Sequence, residues 1–337
     1  MRIIVDAFGG DNAPLEVIKG ARLAVDEYGC EVVLSGDSTE VCQVAGQNNI
    51  SLDGITVENA NGAIPMEAKP TDLLRKYKGC SMENAFQLLA AGQADALVTA
   101  GSTGAALTGG TFIVKRIKGV KRPCITAYLP VGEKGTLLVD CGANAECRPE
   151  MLCQFGVMGS VYMQKLYGLE SPRVGLLNIG VEEGKGTELQ KEAYAMLKQA
   201  PINFIGNVEA REIPLGGCDV IVADGFTGNI VLKLIEGMAK YFGGEFKKIM
   251  LKNPLTTVCA LSMKSGVTEM KKKLDASEHG GAPLLGLRKP VIKAHGNSNA
   301  LAIKNAIRQA IACVESDMVG QITQSLTAVA AVEEEQE

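Results

Sequence analysis

The residues of this chain that could do chemistry centre on a turn, Gly101-Ser102-Thr103-Gly104, inside the stretch ALVTAGSTGAALTGG at positions 96–110. An apolar run (Ala96, Leu97, Val98) precedes the turn and a small-residue run suited to helix follows it, so the backbone is expected to pass from strand to helix there. Glycines permit positive φ and close approach of a ligand to the backbone, while a helix N-terminus offers unpaired N–H groups and a partial positive charge. Such a turn is an anion seat. The chain repeats it: Val222-Ala223-Asp224-Gly225-Phe226-Thr227-Gly228-Asn229 aligns with Val98-Thr99-Ala100-Gly101-Ser102-Thr103-Gly104-Ala105, which gives two G-x-T-G turns.

Three further candidates lie elsewhere. Lys185 sits in Gly180-Val181-Glu182-Glu183-Gly184-Lys185-Gly186-Thr187, which fails as a Walker A loop because the glycines are one residue too close and Gly186 separates the lysine from the threonine. It reads either as a cation able to swing over a bound anion or as a solvated loop lysine. His295, in Lys293-Ala294-His295-Gly296-Asn297-Ser298, precedes a helix and is either a donor or proton shuttle or a structural residue. His279, in Glu278-His279-Gly280-Gly281, reads as a surface turn. The aspartates Asp6, Asp11, Asp140 and Asp224 stand at turns, where such residues usually cap helices, so no metal site is expected.

The elements that must position these residues alternate. Strands are expected at 2–5, 31–34, 55–58, 124–129, 136–140, 174–178, 202–205 and 220–223, with helices after Pro14 (Leu15, Ile18, Ala21, Leu23 and Val25 inward) and near 83–91, 149–167, 187–198, 229–250 and 298–314. Ser298 is the expected N-cap of the last helix. The connection at 130–135 reads as a hairpin, so one antiparallel pair interrupts the rhythm mid-chain. The expected fold is α/β, a doubly wound, mostly parallel, Rossmann-like three-layer αβα sheet. Ligands bind beyond the carboxyl ends of such strands. Five loops are therefore expected to converge on one edge: Asp6/Gly9/Gly10/Asp11, Gly101 to Gly104, Asp140/Gly142/Asn144, Asn178/Gly180/Lys185 and Asp224 to Asn229.

Composition removes several classes of function. A net charge of −4, with no tryptophan and few aromatics, argues against a broad nucleic-acid surface. The ten cysteines include no C-x-x-C and read as reduced thiols in a cytoplasmic protein. Met1-Arg2-Ile3-Ile4-Val5-Asp6 enters a strand directly and does not read as a signal peptide, and no window of about eighteen apolar residues occurs. Residues 1–331 read as a single domain and 332–337 as an acidic frayed tail.

Together these motifs resemble the PlsX-type phosphate acyltransferases, the acyl-acyl-carrier-protein:phosphate acyltransferases of bacterial phospholipid synthesis. The resemblance rests on Asp6-Ala7-Phe8-Gly9-Gly10-Asp11-Asn12-Ala13-Pro14 and continues in order through 99–104, 139–144, 178–188, 222–229 and 294–298. At Arg75-Lys76-Tyr77-Lys78-Gly79-Cys80-Ser81-Met82 the chain departs from the family's more basic run ending in Asp-Ser-Ser. The resemblance implies that inorganic phosphate attacks the thioester of a long-chain acyl carrier protein, giving acyl phosphate, with no cofactor. Phosphate is already nucleophilic at neutral pH, so the site must hold it and stabilise a tetrahedral oxyanion. On this reading Ser102-Thr103-Gly104 seats phosphate, Lys185 neutralises it, and Asn229 and His295 position the reacting groups. Asp6, Gly9, Gly10, Asp11, Gly101, Asn144, Asn178, Asp224 and Gly228 complete the expected binding loops, and Cys141 leaves a covalent acyl-enzyme open.

Residues 250–280 read as an amphipathic helical insertion, with Leu255, Val258, Met263, Val267 and Met270 at helical spacing, lysines elsewhere on the wheel and Gly266 as a point of division. Its apolar face is either a packing or dimer surface or a peripheral membrane foot. The family resemblance implies a homodimer at a membrane surface. The competing functions are a nicotinamide-dependent dehydrogenase of related architecture, disfavoured by the absence of G-x-G-x-x-G after the first strand, and a non-catalytic docking scaffold.

Overall fold

The computed structural model describes residues 1–132, 134–274 and 280–334. Its elements run β1 (Arg2–Asp6), α1 (Leu15–Tyr28), β2 (Glu31–Gly36), α2 (Ser38–Gln47), β3 (Ile55–Asn59), α3 (Ser81–Ala90), β4 (Ala96–Thr99) and α4 (Thr103–Gly109). The chain continues through β5 (Cys124–Leu129), β6 (Thr136–Val139), α5 (Pro149–Tyr167), β7 (Arg173–Asn178), α6 (Glu188–Gln199), β8 (Asn203–Glu209), β9 (Val220–Val222) and α7 (Gly225–Met250). It ends with α8 (Pro254–Ser262), α9 (Lys264–Leu274), β10 (Ala282–Leu285), β11 (Val291–Lys293), α10 (Ala300–Glu315) and α11 (Met318–Glu334).

Among the described residues, eleven strands form one sheet in the order β3-β2-β1-β4-β11-β10-β5-β6-β9-β7-β8. The inner strands are covered on both faces, which is why β1, β4, β6 and β9 are largely apolar and buried. Ile3, Val5, Leu137 and Val139 belong to the core beneath α1, α5 and α10, whereas Ile4 and Leu138 alternate onto the opposite core with Phe86 of α3 and Ala106 of α4. The fold is the α/β sandwich expected, with its β5–β6 antiparallel pair in the register Thr126↔Val139.

The expectation that five loops share one edge is overturned. β10 and β11 carry no period that separates them from loop, and they wedge into the centre of the sheet. β11/β10, β10/β5 and β5/β6 are all antiparallel. Three reversals in series turn the second half of the sheet over. The loops after β1, β4 and β11 therefore leave one edge, and those after β6, β7 and β9 leave the other.

Smaller corrections concern helix ends. α10 is capped by Asn299, whose side-chain oxygen accepts from the Ala302 N–H at 2.9 Å, and not by Ser298. Leu23 faces solvent, because Val17, Ile18, Ala21 and Ala24 form the buried stripe of α1. The insertion divides at Met263, where α8 ends, and not at Gly266. α11 follows α10 and remains helical to Glu334, so the expected frayed tail is helix in its first half. Residues 335–337 and His279 lie outside the described residues.

Candidate active site

A cleft of about 340 Å³ opens over the middle of the sheet, where the two oppositely running halves meet. Its floor is Ile125 to Tyr128 of β5; Thr103 of α4 and Lys293 and His295 at the end of β11 wall one side, Asn229, Lys233 and Glu236 of α7 the other. Each G-x-T-G turn thus sends one helix to the cleft.

The first turn rests on buried polar groups. Asp6 is buried, and its Oδ2 accepts from Thr99 Oγ1 at 2.7 Å, while that hydroxyl accepts from the Gly101 N–H at 3.1 Å. Burial pushes the Asp6 carboxyl above its ordinary value, against the hydrogen bonds and the attraction of Lys293. A Cβ on Gly9 would lie 2.8 Å from the Gly101 nitrogen, and one on Gly10, whose φ is +103°, would lie 2.7 Å from the Gly296 oxygen. These glycines let the β1 loop pass directly beneath the turn. The Asp11 N–H donates to Gly296 O at 2.7 Å and ties the same loop to the His295 segment. Pro70 packs on Gly104 from outside. The departure at Gly79 also has a local reason, a φ of +82° that favours glycine, with the Gly79 N–H donating to Glu83 Oε2 at 2.9 Å.

The second turn is closed by its own residues. Asp224 caps α7, accepting from the Thr227 N–H and from Thr227 Oγ1, both at 2.8 Å. Asp140 is fully buried beside it, its oxygens accepting from the N–H groups of Ile125, Ala143 and Asn144 and from Asn144 Nδ2. A Cβ on Gly228 would overlap the Asp140 carbonyl oxygen, so only glycine fits where α7 crosses this loop. The next residue, Asn229, lies against Gly142 and lines the cleft.

Charges gather at the cleft mouth. Lys233 pairs with Glu236 at 2.8 Å, and His295 Nε2 lies 3.8 Å from Glu236 Oε1. Partial desolvation pulls the imidazole below its ordinary value; Glu236 opposes this, and Lys233, Lys293 and Lys240 add to it. The imidazole is therefore held toward its neutral form at neutral pH. Cys141 also lines the cleft, but burial pushes its thiol far up and Sγ donates to Ile125 O at 3.2 Å. The thiolate is the nucleophilic form, so burial and this hydrogen bond both disfavour attack by the sulfur. Among the described residues, no three of His, Cys, Asp and Glu gather as a metal-holding group.

A family model described as a fatty acid synthesis protein matches residues 1–321. The phosphate acyltransferase of Alkaliphilus oremlandii is 44% identical over 98% of this chain and 98% of its own length, and that of Desulfitobacterium hafniense is 44% identical over 99% and 100%. The chain belongs to the phosphate acyltransferase family. It is an acyltransferase. The fold is shared with the EutD phosphotransacetylase of Staphylococcus aureus (TM-score 0.62, 18% identity, 94% of each chain). A phosphotransacetylase of Streptococcus pyogenes is similar (TM-score 0.60, 19% identity, 97% of this chain and 94% of the other).

For a phosphate acyltransferase, the cleft gathers some expected residues and leaves others out. Thr103, Asn229 and His295 line it. Asp6, Gly9, Gly10 and Asp11 form the layer under the first turn, of which Gly101, Ser102 and Gly104 are part, and Asn144, Asp224 and Gly228 build the second. Asn178 clasps its own loop, donating from Nδ2 to Lys185 O at 3.0 Å and accepting from the Ile179 N–H at 2.8 Å. Lys185 is exposed on that loop, three strands from β5, and does not line the cleft of its own chain. Lys293, Lys233, Glu236, Thr126 and Tyr128 line the cleft without having stood out in the sequence.

Proposed function

We propose that the cleft transfers a long-chain acyl group from an acyl carrier protein thioester to inorganic phosphate. A phosphate oxygen attacks the thioester carbonyl carbon; the tetrahedral oxyanion collapses, the C–S bond breaks, and the carrier thiolate leaves with acyl phosphate formed. The observation that carries this reading is the meeting of Thr103 at the α4 N-terminus, Asn229 and His295 around one cleft. Thr103 and the α4 N–H groups receive phosphate, and Asn229 and His295 orient the carbonyl and stabilise its developing charge. Lys185 stands apart from that cleft, and the family resemblance alone gives it a part in neutralising phosphate.

Purified protein mixed with palmitoyl-acyl carrier protein and phosphate should release free thiol together with hydroxylamine-trappable acyl phosphate. Asn229→Ala is expected to lower kcat/KM by about 100-fold, the effect of removing one donor to an oxyanion. Lys185→Ala in the same assay decides its part. Thiol without acyl phosphate would make the protein a hydrolase, and neither product would overturn the reading.

The protein acts on this proposal as a homodimer at a membrane surface, with residues 1–331 as one catalytic unit. Supporting the dimer, α7 exposes Phe226, Ile230, Leu234, Tyr241, Phe242, Phe246 and Ile249, a stripe that a second copy would cover. Supporting the membrane foot, α8 exposes Leu255, Val258 and Leu261, followed by Met263; Val267 on α9 is half-buried. Among the described residues, no helix is long and apolar enough to cross a membrane. Leu255→Glu should abolish flotation with anionic liposomes while sedimentation still reports a dimer; unchanged flotation would remove the foot.

A further inference from the structure

We propose that Lys293 is the phosphate-binding cation of the cleft. This rests on the phosphate acyltransferase reading of the site and names the group that receives the anion.

The argument begins with an ammonium where one should be costly. Lys293 is 7% exposed, at the end of the central strand β11, in register with Thr99 of β4 and Ala282 of β10. Buried charges are normally paired. Among the described residues, no carboxylate comes within 4.0 Å of it. Its Nζ donates instead to the carbonyl oxygens of Ala100, at 3.3 Å, and Ala294. An ammonium has three N–H donors, so one remains for a ligand in the cleft that this side chain lines.

The two carbonyls also fix where the ammonium sits. Ala100 immediately precedes the Gly101-Ser102-Thr103-Gly104 turn and Ala294 immediately precedes His295, so Nζ is held between the expected phosphate seat and the imidazole. Behind it lies further unmet polarity: Asp6 Oδ1 is buried without a hydrogen-bond partner. The charged groups around Lys293 are Asp6 from β1, Asp11 from the following loop, His295 from its own segment and Lys233 and Glu236 from α7; Tyr128 of β5 and Cys141 after β6 are the titratable groups across the cleft. Burial pulls Lys293 down to about 8, against the attraction of Asp6 and Asp11. A bound phosphate adds the missing negative charge and draws the lysine back to its protonated form.

Isothermal titration with inorganic phosphate tests this on the full chain, at pH 8 and in two buffers of different ionisation enthalpy. The wild type should take up to about half a proton on binding, since about half of Lys293 is neutral at that pH. Lys293→Met should weaken phosphate binding by about 10- to 100-fold, the range for loss of a charge-assisted hydrogen bond. Lys293→Arg should keep part of the affinity and lose the proton uptake, because a guanidinium stays charged. Uptake unchanged in Lys293→Arg, or wild-type affinity in a folded Lys293→Met, would overturn the proposal while leaving the cleft's function standing. A wild type that binds no phosphate would overturn both. Should Lys293→Met fail to fold, the uptake lost or kept in Lys293→Arg decides.

Discussion

The two G-x-T-G turns align residue for residue, yet the structure treats them differently. In the second, Asp224 precedes the glycine, caps α7 and binds both the N–H and the hydroxyl of Thr227. In the first, Ala100 stands at the equivalent place, α4 begins two residues later with no side-chain cap, and among the described residues the Thr103 hydroxyl has no partner. The buried carboxylates behind the turns divide the same way. Asp140 has both oxygens filled by N–H donors, whereas Asp6 has one oxygen without a partner. One turn is locked and carries Asn229 into place; the other keeps polar groups open toward the cleft. A shared sequence signature therefore specifies a backbone, and the residues just before it determine whether that backbone is closed off or left available to a ligand.

The contrast should break most visibly at Asp140. Asp140→Asn turns an amide N–H toward backbone N–H donors in a buried site, and is expected to lower the unfolding free energy in urea by about 3 kcal/mol. An unchanged midpoint would mean that the second turn is not locked as described. The paired threonines come next. Thr103→Ala should lower kcat/KM by about tenfold with stability retained, whereas Thr227→Ala should cost about 1 kcal/mol of stability through its lost hydroxyl bond and leave turnover near the wild type. Equal effects of both on turnover would erase the distinction.

The smallest effect has the opposite sign. A raised native pKa at Asp6 means that its contribution to stability is complete below the unfolded value and declines as pH rises through the native one. Asp6→Asn removes that decline while its amide oxygen still accepts from Thr99, so stability at neutral pH should rise, with the gain vanishing below about pH 4. Burial raises Asp140 as well, but its oxygens accept from three backbone N–H groups and Asn144 Nδ2, onto which an asparagine would turn its own N–H, so the same substitution there is destabilising; a common sign would show that the two carboxylates are equivalent. Asp6 also helps hold Lys293 protonated, so phosphate binding by Asp6→Asn should weaken further as pH rises from 7 to 8.

Local physics made much of this protein readable from its residues. Apolar runs four to six residues long became strands, Pro149 opened α5 near its expected start, and both glycine turns lie at strand-to-helix junctions. These features depend on a residue and its near neighbours. The direction of the second half of the sheet does not. It follows from three antiparallel junctions, two of them made by β10, which pairs with β5 more than 150 positions earlier in the chain. The sheet order sets β7, with Asn178 and the Lys185 loop, three strands from β5 and away from the cleft, and the β10 pairing brought Lys293 to the centre of the sheet. Thr103, Asn229 and His295 could be named from the sequence because their turns are local. The buried cation between them could not, because burial and the missing carboxylate partner arise only when distant strands pack together.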